Sequence, residues 1–118
     1  TNACDVILAN CYPFWEGCAA EYSLLYMKDM YYEAIKASNG KKVIITETGW
    51  PSKGSDLWGA HPSYTNYLKY FINAQLWSKD QGIDMFYFSS FDESWKIEAE
   101  GDVGAYWGLW DKDEVIKF

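Results

Sequence analysis

The segment Lys42–Thr48 reads Lys-Val-Ile-Ile-Thr-Glu-Thr and runs directly into Gly49-Trp50-Pro51-Ser52, and it decides the fold of this 118-residue chain. Its β-branched residues show no polar alternation before Thr46, which is typical of a strand buried on both faces. Glycine, proline, serine and tryptophan dominate the residues that follow, so we predict a long loop over Gly49–His61. We therefore expect a central strand with a loop at its carboxyl end.

Two helices are predicted on either side of this strand. Apolar residues recur at helical spacing in Glu21–Ser38, and Asn39-Gly40 favours a helix end because glycine adopts the left-handed conformation without penalty. A second helix is predicted over Pro62–Gln81, since proline suits the first turn, where its missing N–H costs nothing. Gly82 ends this helix.

Two further strands complete the pattern. Asp5–Tyr12 is an apolar run of strand length, and Pro13 closes it because proline cannot donate to a central ladder. Ile83–Phe91 is a third apolar run, followed by a polar loop through Gly104. A small hairpin around Asp111-Lys112-Asp113 is predicted at the end of the chain.

The order strand–helix–strand–helix–strand predicts a parallel sheet with right-handed crossovers. A doubly wound nucleotide-binding sheet needs a glycine-rich turn directly between a strand and a helix. Here the strands continue instead as Pro13-Phe14-Trp15-Glu16-Gly17 and Glu47-Thr48-Gly49-Trp50-Pro51. We therefore predict an α/β fold that is part of a (β/α)8 barrel, with residues 1–118 forming one partial domain.

The charge balance excludes two classes of partner. Ten Lys and no Arg stand against 17 Asp plus Glu, which gives a formal net charge of −7. An acidic surplus repels nucleic acid and anionic lipid, and without arginine there is no bidentate fork for phosphate. No stretch of about 20 apolar residues is present, so we predict no membrane span. Thr1–Asp5 also lacks the basic and apolar regions of a signal peptide.

The cysteines do not predict a metal site. Cys4, Cys11 and Cys18 are odd in number, their spacing fits no zinc pattern, and the single histidine, His61, is distant in sequence. Free thiols are the main expectation, with one strained disulfide as the alternative. We predict no metal and no cofactor, and we interpret His61 as a surface or capping residue.

All three predicted strand ends combine carboxylates with aromatic rings. A sugar has flat apolar C–H faces and a fringe of hydroxyls, so aromatic platforms with carboxylate acceptors suit it. Glu47 is the most informative residue, because a carboxylate that closes an apolar strand is costly to bury without a partner. An ion pair with a lysine such as Lys96 would explain it, and so would a glycosidase nucleophile, which is the interpretation we favour.

The abundance of aromatic residues allows two other interpretations. In the first, the tryptophans are the platforms of a non-catalytic carbohydrate-binding module: Trp15, Trp50, Trp95, Trp107 and Trp110. In the second, aromatic residues form the core. We assign to packing the rings at helical spacing together with two tryptophans: Tyr31, Tyr32, Tyr64, Tyr67, Tyr70, Phe71, Trp58 and Trp77.

Three stretches together resemble glycoside hydrolase family 17, the β-1,3-glucanases and β-1,3-glucanosyltransferases. Val43–Ser52, Val-Ile-Ile-Thr-Glu-Thr-Gly-Trp-Pro-Ser, resembles the signature of the family. Ala9–Phe14 resembles the end of its strand six. Phe88–Lys96 and Tyr106–Leu109 resemble its strand eight and tail. The resemblance implies the C-terminal portion of the barrel, about three strand–helix units corresponding to strands six to eight.

The resemblance also implies roles for individual residues. Glu47 matches the nucleophile of a retaining mechanism on β-1,3-glucan, and Tyr12 matches a tyrosine near the reacting sugar. Phe14 is placed with Tyr12 among the substrate-binding residues, and Trp50 either contacts sugar or supports the loop. Glu93 and Lys96 match a polar pair close to the nucleophile. Glu100 matches a further acid of that cluster, although Glu98 is near enough to leave the register open.

The resemblance further implies what lies outside this chain. The family's acid/base glutamate closes strand four within an Asn-Glu pair, and no such dipeptide is present here. We expect it in a missing N-terminal half of the barrel, so the chain alone is expected to be inactive. Glu93 and Glu100 are not expected to replace it, since the family places its acid on the opposite wall of the cleft. Hydrolysis and glucanosyl transfer both stay open, and the resemblance implies an extracellular, cell-wall or periplasmic location.

Overall fold

A computed structural model describes residues 2–118. It contains a parallel sheet of three strands in the order β1-β2-β3, namely β1 (Val6–Asn10), β2 (Lys42–Thr48) and β3 (Met85–Tyr87). The central position of β2 and its bounds confirm the prediction for Lys42–Thr48. The predicted domain begins at Thr1, which lies outside the described residues.

The outer strands are shorter than predicted. β1 ends at Asn10 rather than Tyr12. After β3, Phe88 N still donates to Thr48 O of β2 at 2.8 Å. The backbone then pairs with the chain's tail, since Ser89 N donates to Trp107 O at 3.1 Å and Leu109 N donates to Ser89 O at 2.9 Å. The apolar run Ile83–Phe91 is therefore only partly a strand, because its last residues contact the tail instead of β2.

Two long helices cover one face of the sheet. α1 is Ala20–Ala37 and α2 is Tyr64–Gln81. Ser63 rather than Pro62 begins the second helix, because its side chain accepts a hydrogen bond from Asn66 N at 3.0 Å and thereby caps the amino end. Gly82 has a φ of 65° and ends α2 in the left-handed conformation, as predicted.

The segment predicted as a polar loop through Gly104 contains short helical turns. These are a 3-10 turn over Ser94–Lys96, α3 (Ile97–Glu100) and a second 3-10 turn over Asp102–Ala105. The tail then forms the predicted small hairpin, in which Trp110 pairs with Ile116 in an antiparallel bridge.

Aromatic side chains dominate the core between the sheet and the helices. The largest fully buried residues are Trp50, Trp107, Tyr67 and Phe14, which pack with Ile45 of β2. The prediction that β2 is buried on both faces is wrong for this chain, since Ile44 and Thr46 are only half-buried.

Several aromatic residues that were assigned to packing are exposed. Tyr31, Tyr67, Tyr70 and Trp77 are buried and Phe71 is half-buried, whereas Tyr32, Tyr64 and Trp58 are exposed. Helical spacing alone cannot distinguish the edge of a buried stripe from its centre. Among residues 2–118, no helix combines the length and the apolar character that a membrane span requires.

Candidate active site

Glu47 lies near the carboxyl end of β2, and an irregularity in the sheet sets its direction. Ala9 pairs with Ile45, but the next residue of β1, Asn10, pairs with Glu47, so β2 carries one extra residue here. Thr48, not Glu47, consequently continues the buried face, and its Oγ1 lies 2.5 Å from the hydroxyl of Tyr70 on α2. A bulge next to an active site commonly redirects a side chain in this way. Glu47 is half-buried and leaves the helix-covered face.

Tyr12 holds the carboxylate of Glu47. Its hydroxyl donates to Glu47 Oε2 at 2.6 Å across 35 positions of sequence. The ring is fixed edge-on against Trp107, with centroids 5.5 Å apart, and against Phe88 at 6.2 Å. Burial raises the pKa of Tyr12 above its usual range, and the hydrogen bond and charge of Glu47 raise that pKa further. The phenol therefore stays protonated and remains a donor to Glu47.

Lys96 pairs with Glu93 rather than with Glu47. The Lys96 Nζ to Glu93 Oε1 distance is 2.8 Å, and both side chains are largely shielded from solvent. The same ammonium lies 4.2 Å from the centre of the Phe88 ring, which contacts Tyr12 in turn. The proposed explanation of Glu47 as one half of an ion pair with Lys96 is therefore wrong: among residues 2–118 Glu47 has no salt bridge.

Glu100 completes the group of acids, and Glu98 does not belong to it. Glu100 Oε2 is buried and has no hydrogen-bond partner within the described part of the chain, whereas Glu98 is exposed. Burial raises the pKa of Glu100; Lys96 opposes this, and the charges of Glu93 and Glu47 add to it. The sequence left both Glu98 and Glu100 as candidates for this acid. The structure places Glu100 near enough to Glu47 for their charges to interact.

Phe14 and Trp50 lie in the core instead of at the surface. Both side chains are 0% exposed, and their rings pack edge to face at 5.3 Å. A ring without exposed surface cannot stack on a sugar, which corrects the expectation that Phe14 binds substrate. For Trp50 the same burial leaves the supporting role: its Nε1 donates to His61 O at 3.1 Å and so ties the ends of the loop together.

Two features of the site region were not predicted from the sequence. Asp92 and Lys117 form a buried ion pair at 2.7 Å directly before Glu93. Trp58 presents its indole to solvent at the tip of the loop after β2. The ion pair has no sequence signal, because its partners are 25 positions apart. The positive φ of Trp58 cannot be predicted from its residue type either.

The thiols and the histidine take no part in this site. The three cysteines are free, and burial raises the pKa of Cys11 to about 11. The alternative of a disulfide is therefore wrong for this structure. His61 is exposed beside Asp56, with an Nδ1 to Oδ2 distance of 2.8 Å, as expected of a surface residue. Within residues 2–118 no cluster of three metal-ligating side chains is present.

Relatives of this chain act on β-1,3-glucan by name. The model of the BtgE/BtgC glycoside hydrolase domain matches residues 1–108. A glucan 1,3-beta-glucosidase of Arthroderma benhamiae is 34% identical, and the match covers 95% of this chain and 41% of that relative. One of Saccharomyces cerevisiae is 27% identical, with 99% and 40% covered. The chain thus spans about two fifths of the length of these curated relatives.

Solved structures agree on the fold. A family 17 β-1,3-glucanosyltransferase from Rhizomucor miehei superposes with a TM-score of 0.92 at 34% identity, covering 98% of this chain and 42% of that one. An active-site mutant of that enzyme, solved in complex with laminaritriose, is 33% identical with the same TM-score and coverage. An endo-laminarinase from Formosa has a TM-score of 0.74 at 20% identity, covers 93% of this chain and 36% of its own, and shows the fold alone. The family resemblance read from the motifs is confirmed: the chain belongs to glycoside hydrolase family 17, with a BtgE/BtgC-type domain.

Proposed function

We propose that this chain is part of the catalytic domain of a retaining enzyme that acts on β-1,3-glucan, with Glu47 as the nucleophile. One observation carries the proposal: a carboxylate near the carboxyl end of the central parallel strand, where barrel enzymes place their chemistry, is held by a tyrosine hydroxyl at 2.6 Å. The names of the relatives support the substrate class.

The geometry allows one oxygen of Glu47 to react while the other is held. Oε2 accepts from Tyr12, and Oε1 accepts no hydrogen bond from any residue between 2 and 118. Oε1 attacks the anomeric carbon, the glycosidic C–O bond breaks, and the leaving oxygen takes a proton from a general acid. Water then attacks the same carbon, its proton returns to that acid/base group, and the carboxylate of Glu47 is released.

The neighbouring residues position this carboxylate and the sugar. Tyr12 restricts rotation of the Glu47 side chain and touches the reacting glucosyl unit. The charged pair of Glu93 and Lys96 offers hydrogen bonds to sugar hydroxyls beside Phe88. Burial raises the pKa of Glu100, whose carboxyl group contributes a further polar group to substrate binding.

The acid/base group belongs to a part of the barrel outside this chain. Retaining enzymes need a second carboxyl group roughly 5–5.5 Å from the nucleophile, on the other side of the scissile bond. We place this chain at strands six to eight of the barrel, with residues 1–118 as one partial domain, and the acid in the N-terminal half. We propose an extracellular, cell-wall or periplasmic location, where such a glucan is accessible.

Glucanosyl transfer is a second candidate, favoured by the 34% identity and TM-score of 0.92 to the Rhizomucor miehei transferase. Transfer uses the same nucleophile, but a sugar hydroxyl replaces water in the second step. Mass spectrometry of products from laminaritriose distinguishes the two, because transfer yields oligosaccharides longer than the substrate and hydrolysis yields only shorter ones.

The decisive experiment replaces Glu47 in the full-length protein that contains this chain. Glu47→Gln keeps the size of the side chain and should lower kcat on laminarin by roughly 10⁴- to 10⁶-fold, the scale reported for loss of catalytic-unit residues. Glu98→Gln is the matched control, since it removes an exposed carboxylate near the site, and it should retain full activity. Near-normal turnover by Glu47→Gln would refute the assignment.

That variant also tests the binding-module alternative. A non-catalytic module predicts no turnover by either form, whereas an enzyme predicts turnover that depends on Glu47 and glucan binding that survives the substitution. The 118-residue chain assayed alone on laminarin should show no activity, because it lacks the proposed acid. Turnover equal to that of the full-length protein would place the acid within this chain.

A further inference from the structure

The side chain of Trp58 is exposed to solvent, and its backbone has an unfavourable conformation. Its side chain is 79% exposed, so it contributes little to the core. Its φ of 51° lies in the left-handed region, where a bulky residue is a genuine outlier. Glycine would occupy this position without strain. Outliers of this kind persist where the surrounding structure enforces them, and they cluster at functional sites.

The surrounding backbone holds the indole in one place. Leu57 N donates to Ala60 O and Ala60 N donates to Leu57 O, both at 2.9 Å, which closes a tight turn around Trp58. Gly59 N donates to Gly17 O at 3.1 Å, in the loop that follows β1. A Cβ on Gly17 would lie 2.4 Å from Cε3 of Trp58, so the ring occupies the space that the glycine leaves open.

The loop after β1, which contains Gly17, connects the surroundings of Glu47 to Trp58. The loop after β1 starts with Tyr12, whose ring lies 5.5 Å from that of Trp107. Trp107 in turn lies 5.5 Å from Trp15, which is partly exposed. Gly17 follows two residues later and carries the contact to Trp58. Two exposed rings, Trp15 and Trp58, therefore lie on the two neighbouring loops, and the buried ring of Trp107 connects Trp15 to Tyr12 at the candidate site.

We propose that Trp58 is a distal glucan-binding platform that stacks on a glucosyl unit further along the polymer than the unit at Glu47. The proposal rests on the proposed function and adds a residue that sets the preference for long substrates. The surroundings fit a neutral sugar, since the exposed carboxylates of Glu16 and Asp56 belong to the same two loops. A protein partner covering Trp58 would have to desolvate those carboxylates, which is costly without matched cations.

The test uses Trp58→Gly in the full-length protein. Glycine removes the ring and relieves the positive φ, so the unfolding temperature should stay equal to or above that of the parent. The Kd for laminarin, measured by calorimetry in the Glu47→Gln background, should rise about tenfold, which corresponds to about 1.4 kcal/mol. The Kd for laminaritriose should not change, because the proposal assigns Trp58 to a glucosyl unit beyond those that a trisaccharide bound at Glu47 supplies. Trp58→Tyr should restore most of the laminarin affinity.

A matched control separates backbone relief from ring loss. Asn39→Gly relieves a φ of 59° at the end of α1, which leads to the amino end of β2, away from Glu47, and it should leave both affinities unchanged. Laminarin affinity within twofold of the parent in Trp58→Gly would overturn the proposal. Equal losses of affinity for laminarin and laminaritriose would also overturn the proposal. A lower unfolding temperature with unchanged affinity would overturn it too, because it would mean that another part of the protein covers Trp58. If the proposed function itself is wrong, Glu47→Gln keeps near-normal turnover, and this result distinguishes that failure from failure of the proposal for Trp58.

Discussion

Replacing Lys117 by methionine leaves the carboxylate of Asp92 buried without its cation. Lys117 Nζ donates to Asp92 Oδ1 at 2.7 Å and to Ser52 Oγ at 3.0 Å, and the two charged side chains are only 13% and 9% exposed. Burial lowers the pKa of Lys117, and Asp92 partly opposes this effect. After the substitution Asp92 keeps the hydrogen bond from Gly108 N at 2.9 Å but has no countercharge.

The free energy of unfolding should fall by about 3 kcal/mol. Removal of one partner from a buried pair costs about 3–5 kcal/mol, because an uncompensated charge stays behind. We expect the lower end of this range, since methionine fills most of the lysine volume and the Gly108 hydrogen bond survives. Activity should fall as well, because Asp92 directly precedes Glu93 and fixes the start of the segment that carries Lys96.

Urea unfolding followed by tryptophan fluorescence measures this loss in the full-length protein. Lys112→Met is the matched control: Lys112 pairs with Asp113 at 2.9 Å, both side chains are 68% exposed, and such pairs contribute about 0–1 kcal/mol. The double variant Asp92→Asn/Lys117→Met should recover part of the loss, since it removes the unpaired charge. The reasoning is refuted if Lys117→Met loses no more stability than Lys112→Met.

Two further predictions concern pH dependence and association. Because burial raises the folded-state pKa of Glu100, its contribution to stability is complete below the unfolded-state pKa and is lost as the pH rises through the folded-state value. At pH values above the folded-state pKa, Glu100→Gln should therefore be more stable relative to the parent than it is at low pH. Unfolding temperatures of both proteins measured across pH test this, and parallel curves would contradict it. The 118-residue chain expressed alone should form oligomers or aggregates, since β1 and β3 each have an unpaired edge and Leu8 and Phe86 are 63% and 65% exposed. Light scattering that detects a clean monomer would disprove this second prediction.

The sequence predicts the elements of this fold well where local chemistry decides them. The bounds of β2 follow from its β-branched run, and the end of α2 follows from Gly82. Prediction is poorer where a distant segment competes for the backbone. Ile83–Phe91 resembles one strand in sequence, but from Ser89 onward its residues pair with the tail, and β3 is only three residues long.

The same distinction applies to the candidate site. The family resemblance points to Glu47 and Tyr12 and implies that Glu93 and Lys96 form a pair, whereas the residue types alone left an ion pair between Glu47 and a lysine open. The structure pairs Lys96 with Glu93 and gives Glu47 a tyrosine hydroxyl instead. It also shows that the Phe14 ring is buried, because the position of an aromatic residue in the sequence does not determine its exposure to solvent.

The sequence by itself determined the parallel α/β pattern, the family and the identity of the acid on the central strand, because these depend on residue type and local spacing. Only the tertiary structure decided the direction of that acid. If the side chains of β2 alternated strictly between the two faces after Val43 and Ile45, Glu47 would point toward the helices. The extra residue of β2 opposite Ala9 and Asn10 turns the Glu47 side chain to the other face. A bulge arises from the pairing of two strands 36 positions apart, so it cannot be read from either strand alone.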